Sequence, residues 1–235
     1  MVIKSSLTPN RILQFKGEMN NENRLISEAL RGLLPPAGDG IVLDVGAGLG
    51  DIAATAFADR KAVLIDILDF GNAVCPQHSR ETIDFFEWEP DAEQVDLMLM
   101  SHVLQYLDDD LGRLIGKVQA IAPAHIVTIA NRPTKLHFRI LEWFGERGIA
   151  QNSEQFFRNC GLEGYSCSAN SSISSTLRCI NVRELARQLT SMIYDVDLDR
   201  SQLDDFADWL GLRIDCSEIA IPQTLTFLTR TQNNV

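Results

Sequence analysis

Five short runs set the rhythm of the first part of the chain: Ile41 to Val45, Ala62 to Ile65, Glu81 to Phe86, Val95 to Met100 and His125 to Ala130. Each has the length of a strand. Four are almost continuously apolar, the pattern of parallel strands covered on both faces. Between them apolar positions take helical spacing. Leu25, Ile26, Ala29, Leu30 and Leu33 predict a helix over 20–34, ended by Pro35-Pro36 and Gly38-Asp39-Gly40. A short helix follows from Ile52 to Ala58, and another runs from the acidic triplet Asp108-Asp109-Asp110 to about Ala120. The triplet supplies both a cap and charge that suits a helix N-terminus. Leu136, Ile140 and Phe144 share one face of a helix over 135–147, and Ser153 to Cys160 reads as the next. Strands alternating with helices predict a doubly wound α/β domain.

Beyond Asn170 the pattern changes. Ser171 to Ser175 reads as a polar connector. Val182, Leu185, Ala186, Leu189, Met192 and Ile193 form one helical stripe; Leu203, Phe206, Ala207 and Leu210, closed by Gly211, form another. These two helices are inserted before a final strand, Thr224 to Thr229, with Cys216 to Ile221 as a hairpin partner. The sixth strand lies either there or at Tyr165.

The densest chemistry is at the first strand. Asp44 ends an apolar run, and Gly46, Gly48 and Gly50 follow at alternate positions before the short helix. Strand, glycine turn and helix open a nucleotide-binding α/β unit, because glycine permits the turn and lets a ligand approach the main chain. The dinucleotide fingerprint G-x-G-x-x-G requires a glycine at position 51, which is Asp51. The second strand ends in Asp66, at the carboxyl end where open α/β sheets bind ligands. A carboxylate there accepts two hydrogen bonds from ribose hydroxyls and repels a 2′-phosphate.

Asp44-x-Gly46-x-Gly48-x-Gly50 resembles motif I of the class I S-adenosylmethionine (SAM) dependent methyltransferases, small-molecule type. The resemblance covers residues 41–131. It implies a Rossmann-like fold with a seven-stranded, mostly parallel sheet, helices on both faces, and N-terminal and C-terminal helical caps. It implies SAM as cofactor, with Asp44, Gly46, Ala47 and Gly48 at its methionine part and Asp66 on the ribose. Ile67 flanks the adenine. Asp84-Phe85-Phe86 resembles the family's Asp-Phe-Phe, which puts Asp84 on the adenine amino group and Phe85 against the ring. Ser101 and His102 line the sulfur end. The segment from Ile12 to Met19, with Phe15 and Lys16, corresponds to a lid. The domains read as 1–39 lid, 40–170 SAM-binding core, 171–215 inserted helical cap, and 216–235 final strand or strands and tail.

One departure bears on the chemistry. Where plant-type O-methyltransferases of this family carry a histidine base, four residues after the position of Ser101, this chain has Gln105. An amide takes no proton. His102 is the nearest titratable group, either as base or as a hydrogen-bonded histidine beside the site. Tyr106, Tyr165 and Asn131 are further polar candidates for the acceptor side, and no metal is expected. Trp88 reads as a pocket wall or as core.

Composition narrows the acceptor. The chain of 235 residues carries a net charge of −11, 32 acids against 21 bases, which argues against nucleic acid or an anionic membrane as partner. A small-molecule acceptor fits, for O- or N-methylation in specialised small-molecule biosynthesis, and the class admits a homodimer. Five scattered cysteines without a C-x-x-C pair read as free thiols, and no apolar leader is visible; both point to the cytoplasm. The alternative is a SAM-dependent enzyme that uses the aminobutyryl group, as a transferase or as a cyclase forming a cyclic amino acid such as azetidine-2-carboxylate. That reaction releases methylthioadenosine. A non-enzymatic protein of this fold or a nicotinamide enzyme is the third reading, and Asp51 speaks against nicotinamide.

Overall fold

The computed structural model describes residues 21–34, 38–73, 75–91, 93–104, 107, 111–145, 162–190, 196, 198–214 and 218–231. The segment 12–19, the acidic triplet 108–110, the helix expected over 153–160, and Met192 and Ile193 lie outside them. In chain order the elements are α1 (Glu22–Leu33), β1 (Ile41–Val45), α2 (Asp51–Ala56), β2 (Ala62–Asp66), β3 (His78–Thr82) and β4 (Val95–Ser101). Then come α3 (Leu111–Ile121), β5 (His125–Asn131), α4 (Lys135–Trp143), β6 (Tyr165–Arg178), α5 (Val182–Gln188), α6 (Arg200–Gly211) and β7 (Glu218–Arg230).

The strands form one seven-stranded sheet in the order β3-β2-β1-β4-β5-β7-β6. β1 to β5 pair in parallel, and β7 runs antiparallel to β5. Alternate residues of each central strand enter different cores, which explains the near-continuous apolar runs. Leu43, Val45, Val63, Ile65, Met98 and Met100 pack with Leu114 and Val118 of α3. Val42, Leu64, Leu97, Leu99 and Val127 pack with Ile26 and Leu30 of α1 and with Phe57. Helix α1, inside the range read as a lid, is therefore a core helix under the sheet. Trp88 belongs to the first core and is not a pocket wall.

Three strand expectations are corrected. β3 lies at His78–Thr82, not 81–86, and Asp84 instead opens a turn in which its Oδ1 accepts from the Phe86 N–H at 2.8 Å. An edge strand needs few apolar residues, so hydropathy shifted the assignment toward Ile83 and Phe85. The serine-rich stretch 171–175 is not a connector but part of the long β6, where Ser175 is buried with Oγ donating to the Ile221 carbonyl. Residues 218–221 make no separate hairpin strand; they begin β7.

The chain divides into two compact units, one of residues 1–22 and 174–221 and one of 23–173 and 222–235. In the first, Asn181 caps α5 by accepting from the Glu184 N–H, Asp199 and Gln202 form a capping box on α6, and Arg183 pairs with Asp204. The second carries both cores. No helix among the described residues is long and apolar enough to cross a membrane.

Candidate functional site

Parallel pairing brings the carboxyl ends of β1, β2, β4 and β5 to one edge. Val45 lies opposite Ile65 on one side and Met100 on the other, and Ser101 lies opposite Ile129. Gly46, Asp66, Ser101, His102 and Asn131 therefore all stand at strand ends on that edge. Asp44 sits one residue inside, buried between Leu64 and Leu99.

The three glycines of the turn do different work. Gly46 has φ +66°, and a Cβ there would lie 2.4 Å from Val103 Cγ2. A Cβ on Gly50 would lie 2.7 Å from Leu64 Cδ1. Both glycines answer to the chain's own packing. Gly48 has φ +55°, and among the described residues a Cβ there would meet nothing within 4 Å. Its open face leaves room for a ligand to lie against the main chain. The turn is anchored from behind, since Gly46 and Ala47 donate to the Ile65 carbonyl at 2.9 and 3.1 Å.

Asp66 closes one side of this cradle. Its Oδ2 accepts from the Gly48 N–H and its Oδ1 from the Leu68 N–H, each at 2.9 Å. A carboxylate has about four lone-pair sites, so each oxygen retains capacity for one more donor. That is the chemistry a vicinal diol requires. Ile67 beside it is 70% exposed, an apolar surface at the same strand end. Asp84 is exposed and spends Oδ1 on its turn. Phe85, expected against the adenine ring, is buried with Trp88 in the core.

On the other side of the turn, Val103 packs on Gly46, which brings the end of β4 against it. His102 has φ +55°, a conformation that L residues seldom take, and its N–H donates to the Ile129 carbonyl at 2.9 Å. Its Nε2 lies 3.3 Å from Nε2 of Gln223, which is fully buried. An amide nitrogen only donates, so in this pairing His102 Nε2 accepts and the ring proton resides on Nδ1. Gln223 reaches this place because β7 is antiparallel and sets it opposite Asn131. Asn131 itself is exposed. Tyr106 and Gln105 lie outside the described residues. Tyr165 leaves the list of bases: its hydroxyl donates to the Pro123 carbonyl at 2.6 Å, before the amino end of β5, and burial pushes its pKa up.

Two residues of the site were not singled out from sequence. Gln223 carried a signal, a lone amide among the alternating apolar residues of β7. Arg80 did not: it sits in a polar edge strand, yet its Nη1 donates to the Gly48 carbonyl at 2.7 Å.

The sequence matches no protein-family model and no curated protein. Solved structures do match. A phosphoethanolamine N-methyltransferase 2 from Haemonchus contortus, in complex with phosphomonomethylethanolamine and S-adenosylhomocysteine (SAH), aligns with a TM-score of 0.52 at 12% identity over 91% of this chain. The geranyl diphosphate C-methyltransferase of Streptomyces coelicolor A3(2), in complex with Mg2+, geranyl diphosphate and SAH, aligns at 0.55 and 15% identity, covering 92% of this chain and 82% of that one. A cyclopropane-fatty-acyl-phospholipid synthase-like protein from Lactobacillus casei aligns at 0.56 and 13%, covering 88% and 90%. The chain has the class I methyltransferase fold. It spans about half, 53%, of the Haemonchus enzyme. Within the class I methyltransferase fold, the carboxyl edge that holds Gly48, Asp66 and His102 is also where the general rule for open α/β sheets places a ligand.

Proposed function

We propose that the chain is a SAM-dependent methyltransferase acting on a small-molecule acceptor. The observation that carries this reading is the open face of Gly48, set beside an Asp66 carboxylate with unused acceptor capacity. Two glycines serve packing and the third leaves room, as a bound nucleoside needs. Asp66 accepts from the ribose hydroxyls, exposed Ile67 covers one adenine face, and the second oxygen of Asp84 accepts from the adenine amino group. Gly46 and Ala47 offer main chain to the amino-acid end, with Ser101 and His102 at the sulfur. Enzymes of the same fold from Haemonchus contortus and Streptomyces coelicolor hold SAH, which supports the cofactor.

When bound, SAM supplies a methyl group on a sulfonium, already a good leaving group. The protein's share is alignment and the removal of a proton from an oxygen or amine acceptor. His102 is the base for that removal, with Asn131 as a polar contact for the acceptor. Its Nε2 lone pair is occupied while Gln223 donates to it, so the base form has the Gln223 amide turned, its carbonyl oxygen accepting from Nε2–H and Nδ1 left to take the proton. The free thiols Cys75 and Cys167 suit a reducing cytoplasm.

Titration calorimetry with SAM, SAH and NAD tests the cofactor: SAM and SAH bind and NAD does not. Incubation with SAM and candidate acceptors then separates the chemistries, SAH as product meaning methyl transfer and methylthioadenosine the aminobutyryl reaction. No uptake of either sulfur nucleoside overturns the proposal.

A further inference from the structure

Gly48 faces open space and has no side chain, so it should be the loosest residue of the turn. Instead both of its polar main-chain atoms are held by ionic side chains. Its N–H donates to Asp66 Oδ2 at 2.9 Å, from the end of β2. Its carbonyl accepts from Arg80 Nη1 at 2.7 Å, from β3. The register sets this up: β2 and β3 pair in parallel with Leu64 opposite Arg80 and Asp66 opposite Thr82, so the cation stands two residues behind the carboxylate. The peptide planes on either side of the Gly48 Cα are thereby fixed, and with them the positive φ that points the open face outward.

The rest of the guanidinium has no such engagement. Nε and Nη2 of Arg80 are buried and make no hydrogen bond among the described residues. Nη2 lies 3.2 Å from where a Gly50 Cβ would stand, and the guanidinium carbon is 5.8 Å from the Phe70 ring centroid. A half-buried cation with two buried, idle nitrogens is a poor device for stabilising a fold. What it does hold is one carbonyl in the turn.

We propose that Arg80 is a positioning residue for cofactor binding: together with Asp66 it clamps Gly48 and preorganises the cradle before the nucleoside arrives. This rests on the SAM reading above. The ordering of the turn is then completed on folding, and the ligand need not supply it. A charge-assisted bond in a half-buried place suits that purpose.

Arg80→Met keeps the apolar stem and removes the donor along with the two idle nitrogens. The ligand-free melting temperature should stay within about 2 °C of wild type, because few satisfied bonds are lost. The SAH dissociation constant measured by calorimetry should rise about 10-fold, as for the loss of one charge-assisted hydrogen bond. The Gly48 amide in the ligand-free protein should exchange faster with solvent deuterium. Arg80→Lys retains one donor and should recover most of the affinity. Equal SAH affinity in wild type and Arg80→Met overturns the clamp. So does a fall in melting temperature with an unchanged Gly48 exchange rate, which marks Arg80 as an ordinary structural cation. A wild type that binds no SAH defeats the SAM reading instead, and the Gly48 exchange rates still decide whether Arg80 orders the turn.

Discussion

The two halves of the carboxyl edge are built differently. The half at β1 and β2 is local: Asp44, the glycines and Asp66 fall within one strand-turn-helix-strand unit, and the Gly48–Asp66 bond spans 18 residues. The half at β4, β5 and β7 is assembled from afar: His102 meets Gln223 across 121 residues. A shared cofactor asks the same of every such chain and is served by a short motif. An acceptor is particular to one chain, and long-range contacts can vary without disturbing the motif. The proposed reading makes the first half a matter of affinity and the second a matter of turnover.

The sharpest break is at His102. Asparagine tolerates the positive φ that position requires, so His102→Asn removes the imidazole with little cost to the backbone. Turnover should fall about 100- to 10,000-fold, the usual worth of a general base, while SAH affinity changes far less. Steady-state kinetics beside calorimetry check this. An affinity loss as large as the turnover loss would merge the two halves and end the distinction.

The next effect divides the glycines themselves. Gly48→Val fills the open face and should cut SAH affinity by about 100-fold, beside a backbone cost of about 1–2 kcal/mol because its positive φ strains a β-branched residue. Gly46→Ala drives a methyl into Val103, so its main loss is stability, about 1–3 kcal/mol. Thermal melts and calorimetry on both variants read the contrast, and a Gly48→Val that binds SAH normally removes the turn from the site. Smaller again is Asp66→Ala, where SAH affinity should drop on the order of 10-fold as hydrogen bonds to the ribose and to Gly48 are lost together. Unchanged affinity there takes the carboxylate out of the nucleoside half.

These contrasts parallel what the sequence made legible. β1, β2, β4 and β5 were readable because both faces are buried and hydropathy alone marks them. β3 was displaced because an edge strand such as His78–Thr82 has little apolar content. The serine run 171–175 reads as a connector because serine carries no strand preference, yet it lies within β6 and Ser175 is fully buried. β7 reads from sequence as two pieces, 216–221 and 224–229, and Pro222 between them lacks a donor. The register explains why the strand survives: Asn131 opposite Gln223 is the last pair with β5, and Pro222 lies just beyond it, where its carbonyl accepts from the Arg132 N–H. The nucleoside half was legible for the same local reason that makes it a motif. Arg80 becomes visible only when strand order sets it beside Gly48, and the lone amide of Gln223 gains its meaning only when β7 sets it beside His102.

The smallest effect concerns pH, and it bounds how turnover in the acceptor half can be measured. Burial lowers the pKa of His125 from 6.5; Asp96 opposes this and Arg60 adds to it. Burial also lowers that of His137. A histidine whose folded pKa lies below its unfolded value contributes stability that is complete above about 6.5. That stability is lost as pH falls from there toward the folded pKa, since the unfolded chain takes the proton first. The melting temperature should therefore decline modestly between pH 7.5 and 5.5, and His125→Gln with His137→Gln should flatten the decline. His125 starts β5 at the amino end of the sheet, opposite His102 and Asn131. Its titration therefore affects the fold without touching the acceptor. A turnover profile that follows the melting curve in wild type and flattens in the double variant reports these two histidines. A profile that persists in the double variant belongs to the carboxyl edge, and its loss in His102→Asn would assign it to the imidazole held by Gln223.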